Sequence, residues 1–313
     1  MDRERFSAAI AGILPSDRVH PEEPLAPHTT FRVGGAADWL VDVRSAEELR
    51  RVLEAAGRCQ VPVTLLGGGS NVLVADAGIR GVVIRLQMRE ISQSAADRVR
   101  AEAGVTINGL VRWTISKGLG GLEAWAGTPG TVGGAIHGNA HFSGSNISER
   151  VAAVMLATRQ GRLAEVEPDE MAFAYDTSRL QRSGEVLVWA EFRVGPGETE
   201  TLRARARASL AYRKRTQPLA LSSAGCVFQN PDPARDRVPS GIPASAGALV
   251  DRAGLKGRRL GGAQISETHA NFVVNDGTAT ADEIRTLIET ARAAVRERFG
   301  VELRDEVVYL GEF

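Results

Sequence analysis

Apolar residues recur with helical spacing in three stretches of the chain. Leu49, Val52, Leu53 and Ala56 follow Ser45-Ala46-Glu47-Glu48, a capping-box sequence, and the pattern stops near Gly57. Ile107, Leu110, Val111, Thr114 and Ile115 share one face of a helix opened by Thr106 and closed by Gly118. Ile284, Leu287, Ile288, Ala291 and Val295 follow a second capping box, Thr280-Ala281-Asp282-Glu283, and Gly300 ends that helix. Between them lie short apolar or alternating runs that predict strands at 61–66, 72–74, 82–86, 151–158, 185–194 and 301–310. Residues 1–23 read as an accessory amphipathic helix and linker running into the proline-rich 21–27 stretch. Gly195-Pro196-Gly197 is the strongest internal linker signal. The expected division is 1–23, 24–196 and 197–313, in an α+β or α/β chain with two unlike halves.

Composition narrows the function. The 38 basic and 38 acidic residues cancel, so no global field draws the protein to nucleic acid or an acidic membrane. Two cysteines, Cys59 and Cys226, have no paired spacing, which speaks against a disulfide framework or a zinc site, and no metal is expected. The apolar run Ile10 to Leu14 is too short for a signal peptide, and no stretch of about twenty apolar residues suits a bilayer. A reducing cytoplasm is expected.

Several passages carry candidate chemistry. Gly67-Gly68-Gly69-Ser70-Asn71 joins two apolar strands, and Gly130-Thr131-Val132-Gly133-Gly134-Ala135 follows Thr128-Pro129. Glycines leave amide N–H groups bare and let the backbone curl around an anion such as a diphosphate. Neither passage has the sequence of a P-loop or the strand–helix setting of a Rossmann turn. Each reads equally as a tight turn. Arg32, between Phe31 and Val33 and ahead of Gly34-Gly35, suits a phosphate or a flavin carbonyl as well as plain solvent. Cys226, among Ser222, Ser223, Ala224 and Gly225, is a small buried apolar residue or a general acid. A thiol of ordinary pKa about 8.5 is mostly protonated at neutral pH and yields its proton far more readily than a hydroxyl. Period-two counting places Glu302, Arg304 and Glu306 opposite Val301, Leu303 and Val307. The Arg203-Arg205-Arg207 and Arg213-Lys214-Arg215 runs are solvated helix faces or a pyrophosphate site.

Taken in order, these passages resemble the UDP-N-acetylenolpyruvoylglucosamine reductase (MurB) family from about Leu25 to the C-terminus. The matching blocks are Thr29 to Gly35, Leu66 to Asn71, Gly121-Leu122-Glu123, Thr128 to Ala135, Ser223 to Phe228, Asn230-Pro231, Ala246-Gly247 with Leu249 to Asp251, Gly254 to Gly257, His269 to Asn275, and Glu306-Val307. The compact middle is similar to the shorter family form, which lacks a tyrosine loop. The resemblance implies an α+β fold: an FAD-binding half of the vanillyl-alcohol-oxidase (PCMH) type and a C-terminal α+β substrate domain. It implies non-covalent FAD, NADPH as co-substrate, and reduction of a UDP-linked enolpyruvyl amino sugar to UDP-N-acetylmuramate by a cytoplasmic monomer of peptidoglycan synthesis. It further implies that Arg32, Gly67, Gly68, Gly69, Ser70, Asn71, Gly130, Thr131, Gly133 and Gly134 hold FAD. Cys226 would donate the proton, with Glu306 orienting it. Tyr175, Arg213, Gln217, Asn230 and His269 would meet the substrate.

Three departures stand out. The family's Tyr-Arg-x-Ser is Tyr175-Asp176-Thr177-Ser178-Arg179, which puts an acid where an arginine meets the substrate carboxylate and leaves Arg179 as the candidate replacement. Gln229 stands where lysine is frequent, and Gly138-Asn139-Ala140-His141 replaces Met-Asn-Ala-Gly. These departures leave room for a different enoyl acceptor. A sugar or alcohol oxidase of the same fold, with flavin tethered through His137 or His141, is one alternative. A nucleotide-sugar-binding protein without chemistry is another.

Overall fold

The stripes predicted from periodicity fold as helices, and their caps explain where each begins. The computed structural model describes residues 1–142 and 144–313. They fall into two compact units, Met1–Glu23 with Ala37–Gly68 and Arg80–Tyr212, and Pro24–Ala36 with Gly69–Ile79 and Arg213–Phe313.

In the first unit, α1 (Arg3–Ala11) starts where the Asp2 side chain accepts from the Arg5 amide. Its Phe6 and Ile10, with Leu14, are buried in the same cluster as Leu49, Val52 and Ile84. Residues 1–23 are therefore not an accessory segment; three of their apolar side chains help to build this core. Helix α2 (Ala46–Arg58) has only half of its expected capping box. Ser45 accepts from the Glu48 amide, but Glu48 receives the Arg44 amide at 2.7 Å and the Arg18 guanidinium at 2.7 Å and 2.8 Å. A bidentate, part-buried arginine outcompetes a reach back to the cap residue itself. Around these helices stands a four-stranded sheet in the order Val19–Pro24, Ala36–Val43, Ile79–Leu86, Val63–Leu66, its last pair parallel. The strand predicted to start at residue 61 begins after Pro62, which has no amide to give a ladder.

A second sheet of this unit runs Leu163–Val166, Val151–Ala157, Val186–Arg193, Arg98–Glu102, Ile91–Ala95, antiparallel throughout. It shares a core with α3 (Ile107–Ser116) and α4 (Val132–His137), through Ile107, Leu110, Val132, Ile136 and Phe192. The four-residue helix α5 (Leu180–Ser183) follows. Gly195–Pro196 is not a linker: it pairs antiparallel with Leu119–Gly120, and the chain continues into α6 (Thr199–Thr216). The boundary between the units falls inside that helix, after Tyr212.

The second unit packs α7 (Ala246–Arg252) and α8 (Ala281–Phe299) with a three-stranded sheet of Arg259–Leu260, Ala263–Ile265 and Val273–Asn275. The Thr280/Glu283 capping box forms in full, and Gly300, at φ 68°, closes α8 in the left-handed region that favours glycine. Two loops from early in the chain complete this unit. Phe31 and Leu73 enter its core beside Phe228, Leu249 and Ile284. Val72–Val74 pairs in parallel with Val308–Leu310, and the Asp76 carboxylate accepts the Ala281 and Asp282 amides at the start of α8. The predicted strand over 301–310 thus makes a ladder only in its last three residues. Residues 301–307 keep the alternation, with Val301, Leu303 and Val307 buried, and pair at a single bridge between Asp305 and Phe228.

Candidate active site

The two glycine passages meet within the first unit. A side chain at Gly68 would put its Cβ 2.7 Å from Gly130 Cα, and one at Gly67 would lie 2.9 Å from Thr131 Oγ1. These glycines let one backbone lie directly on another. Their amides differ. Those of Val132 and Gly133 donate to Val105 and Ala103 carbonyls at 2.8 Å and 2.9 Å, and that of Gly134 donates to Thr131 Oγ1 at 3.3 Å. The expectation that Gly133 and Gly134 offer bare N–H groups is therefore corrected. Their small size serves packing: a Cβ on Gly133 would sit 3.2 Å from Ala103 O. The amides of Gly67 and Gly68 have no acceptor among the described residues. A narrow backbone cradle with unused amide donors fits a diphosphate.

In the second unit, Gly69 has φ 63°, and a Cβ there would fall 2.1 Å from His28 O. Its carbonyl accepts from the Thr30 amide at 2.9 Å. Arg32 is exposed, lies at φ 61°, and donates through Nη1 to Pro27 O at 2.8 Å. A left-handed backbone on a non-glycine residue costs on the order of 1–3 kcal/mol and concentrates at ligand sites. Asn71 Nδ2 donates to Glu306 O at 3.0 Å. The Glu306 amide donates to Val227 O at 2.9 Å, and the Gln229 amide to Arg304 O at 2.9 Å. Residues 227–229 thus run antiparallel along 304–306, so the segment that follows Cys226 neighbours the one that holds Glu306, and Asn71 is bonded to the Glu306 backbone. Cys226 and Glu306 are both half-buried.

The candidate substrate residues divide. Arg213, in the last turn of α6, is buried, and burial pushes its guanidinium down to about 10. The Gln217 amide donates to the Arg213 carbonyl. Arg203, Arg205 and Arg207 are exposed, with Arg205 reaching Glu123 at 3.2 Å. Asn230 Oδ1 accepts the Ala246 amide at 3.1 Å and so caps α7. His269 Nδ1 accepts the Asn271 amide at 3.2 Å, and its ring meets Phe272 edge-on. Burial, helped by the Lys256 charge, holds the His269 imidazole below its ordinary pKa. Tyr175 is exposed.

Arg179 does not stand ready to replace the missing arginine. Its Nε and Nη2 donate to the two carboxylate oxygens of Glu185, both at 2.7 Å, and a bidentate pair of this kind fixes the guanidinium plane. What sequence reasoning missed is the pairing of the two other departures. His141 Nδ1 lies 3.0 Å from Asp176 Oδ1. The only sequence signal was that both positions differ from the family pattern. Among the described residues, no group of three His, Cys, Asp or Glu side chains is placed to hold a metal ion. Among them, too, no helix is long and apolar enough to cross a membrane.

Comparison with known proteins matches both units. Residues 217–310 match the UDP-N-acetylenolpyruvoylglucosamine reductase C-terminal domain, and residues 37–167 match an FAD binding domain. The UDP-N-acetylenolpyruvoylglucosamine reductase of Synechococcus sp. is 42% identical over 294 residues, covering 92% of each chain. That of Carboxydothermus hydrogenoformans is 38% identical over 313 residues, covering 100% of each. The crystal structure of the Thermus caldophilus enzyme superposes with a TM-score of 0.79 at 33% identity, covering 94% of this chain and 99% of that one. A grass pollen allergen with glucose dehydrogenase activity, at 14% identity and a TM-score of 0.50 over 62% of this chain and 44% of its own, shares the fold alone.

Proposed function

The chain belongs to the UDP-N-acetylenolpyruvoylglucosamine reductase family, and from that premise we propose how its own residues carry the reaction. The protein is an FAD-dependent oxidoreductase of peptidoglycan precursor synthesis, reducing the enolpyruvyl group of its UDP-sugar to give UDP-N-acetylmuramate at the expense of NADPH. FAD, when bound, would supply the two-electron hydride chemistry that links oxidation of the dinucleotide to reduction of the alkene at C3.

Gly67 to Asn71, with Gly130, Thr131, Gly133, Gly134 and Arg32, hold the cofactor. The bare amides of Gly67 and Gly68 support this reading for the diphosphate. The remaining glycines of the set let the backbones approach. Cys226 gives its proton to C2. Hydride addition next to a carboxylate builds enolate charge, and an acid fixed on one face quenches it with one stereochemical outcome. Glu306 orients the thiol or shares its proton. Arg213 and Gln217 meet the phosphates. Tyr175, Asn230 and His269 are further substrate contacts, the last two also hydrogen-bonded internally. We assign FAD binding chiefly to the first unit and substrate binding chiefly to the second, in a monomer of the cytoplasm.

The observation that supports the catalytic assignment is the antiparallel pairing of residues 227–229 with 304–306, the segments next to or containing Cys226 and Glu306. The test is a pair of anaerobic half-reactions on purified protein. NADPH bleaches the flavin, and the UDP-enolpyruvyl sugar restores its colour. Colour restored by oxygen and a simple alcohol or sugar, with no response to the UDP-sugar, would replace the reductase by an oxidase.

A further inference from the structure

Among the described residues, little backbone joins 227–229 to 304–306. The Glu306 amide donates to Val227 O and the Gln229 amide to Arg304 O, both at 2.9 Å, and Phe228 faces Asp305 at one bridge. At Glu306 the chain then changes neighbours. The Val307 amide reaches the same Val227 carbonyl at 3.4 Å, and the Val308 amide turns to Asn71 O at 3.0 Å. From there Val308–Leu310 pairs with Val72–Val74. Two consecutive amides on one carbonyl make a bulge, which bends a strand and re-aims the side chain at that point. Pairing this short leaves register weakly specified, and a slip of one residue would turn Glu306 to the other face.

Side chains of the second unit supply what the ladder lacks. Asn71 Nδ2 holds the Glu306 carbonyl at 3.0 Å. From α8, a single guanidinium meets both segments. Arg292 donates from Nε to Leu303 O at 3.2 Å and from Nη2 to the Asp305 carboxylate, which also accepts from the Tyr309 hydroxyl at 3.4 Å. The same guanidinium lies over the ring of the buried Phe228, 5.7 Å from its centroid. Arg292 thus touches the residue before Glu306 and the residue two beyond Cys226, at the bridge where the segments pair.

A guanidinium suits this task, because its planar fork donates in fixed directions while its face lies on a ring. An ammonium offers a point charge without the plane. Neighbouring arginines are placed differently. Arg304 reaches Asp236, in the loop beyond Pro231, at 3.0 Å, and Arg296, one turn on in α8, meets the exposed Glu302 at 3.8 Å.

We propose that Arg292 is a positioning residue for proton delivery, which holds the segment leading from Cys226 and the segment that carries Glu306 in register. The inference rests on the reductase reading above. Arg292 acts through Asp305, Leu303 and Phe228, and the chemistry stays with the thiol and Glu306.

The test reads the clamp and the reaction separately in the full-length, FAD-loaded enzyme. Arg292→Gln is compared with Arg292→Lys, with Asp305→Asn and, as the control, with Arg296→Gln. In hydrogen exchange followed by mass spectrometry, peptides spanning 227–229 and 304–306 lose protection in Arg292→Gln, while those of α2 keep it. In anaerobic rapid mixing, NADPH reduces the flavin of every variant at the wild-type rate. Reoxidation by the UDP-enolpyruvyl sugar slows about 10- to 100-fold in Arg292→Gln, the effect of misplacing a reacting group by about an ångström, and less in Asp305→Asn. Arg292→Lys recovers part of that loss, and Arg296→Gln matches wild type. Unchanged reoxidation in Arg292→Gln overturns the proposal, and so does an equal slowing of both half-reactions, which would mark general damage. Where Arg292→Gln does not fold, unchanged reoxidation in Asp305→Asn overturns it. A wild-type flavin that NADPH reduces but the UDP-sugar does not reoxidise overturns the reductase reading, whereas unchanged exchange in Arg292→Gln removes the clamp whichever substrate the enzyme takes.

Discussion

Replacing Gly68 by alanine tests whether the contact of the two glycine passages builds the flavin site. The new Cβ would lie 2.7 Å from Gly130 Cα, 3.3 Å from its carbonyl carbon and 3.4 Å from its nitrogen. Carbon atoms ordinarily rest about 3.5–4.0 Å apart, and all three obstacles are backbone, so no side chain can rotate away. The loops must separate by about an ångström. Overpacking of this kind costs about 1–3 kcal/mol. If that cost falls on the FAD-bound form, affinity drops about 5- to 150-fold. Gly67→Ala is a graded comparison, because its nearest obstacle is the Thr131 hydroxyl at 2.9 Å, which can turn. Gly57→Ala is the control. Gly57 lies in α2 with nothing within 4 Å of its added Cβ, and the change stabilises by about 0.5–1 kcal/mol. The assays are flavin content after purification, titration of apoprotein with FAD by fluorescence quenching, and thermal melting. The expected order of FAD affinity is wild type and Gly57→Ala, then Gly67→Ala, then Gly68→Ala. Undiminished affinity and melting in Gly68→Ala would refute the reasoning.

Other outcomes follow from single groups. Asp38 is fully buried, with Arg3 at 2.9 Å, Arg80 at 2.6 Å and the Gly81 amide at 2.8 Å. Burial opposes its ionisation, but the Gly81 amide, Arg3 and Arg80 outweigh burial and hold the carboxyl below its ordinary value. The stability it contributes is therefore present above the unfolded value of about 3.9 and is lost as pH falls through the lower folded value. Asp38→Asn costs about 1–3 kcal/mol near neutral pH and flattens the acid limb of a denaturation-midpoint profile; an identical limb in both proteins would exclude Asp38 as its source. Cys226→Ala keeps flavin reduction by NADPH but slows reoxidation by the UDP-sugar about 10²- to 10⁴-fold, the usual contribution of a positioned acid. Cys226→Ser recovers much of that rate, and rapid-mixing absorbance measures both steps. Equal reoxidation in Cys226→Ala would place the acid elsewhere.

The sequence by itself determined what depends on neighbours along the chain. Apolar spacing and caps gave α2, α3 and α8, because a helix's buried face and its unpaired amides are set within a few residues. The ordered glycine, cysteine and glutamate blocks likewise identified the family and its cofactor. Tertiary structure decided what depends on distant partners. Asn71 meets Glu306 across 235 positions, and the loops 24–36 and 69–79 join the second unit because Phe31 and Leu73 complete its core. Local pattern also could not show which amides stay bare. Val132, Gly133 and Gly134 lose theirs to carbonyls and a hydroxyl that only the folded chain brings near. The same holds for charge. Arg179 and Glu185 lie six positions apart, yet their bidentate geometry requires the turn through α5. His141 finds Asp176 only when two left-handed residues bend their loops together. Periodicity records which face a residue turns to the core, whereas partners are set by which segments the core draws into contact.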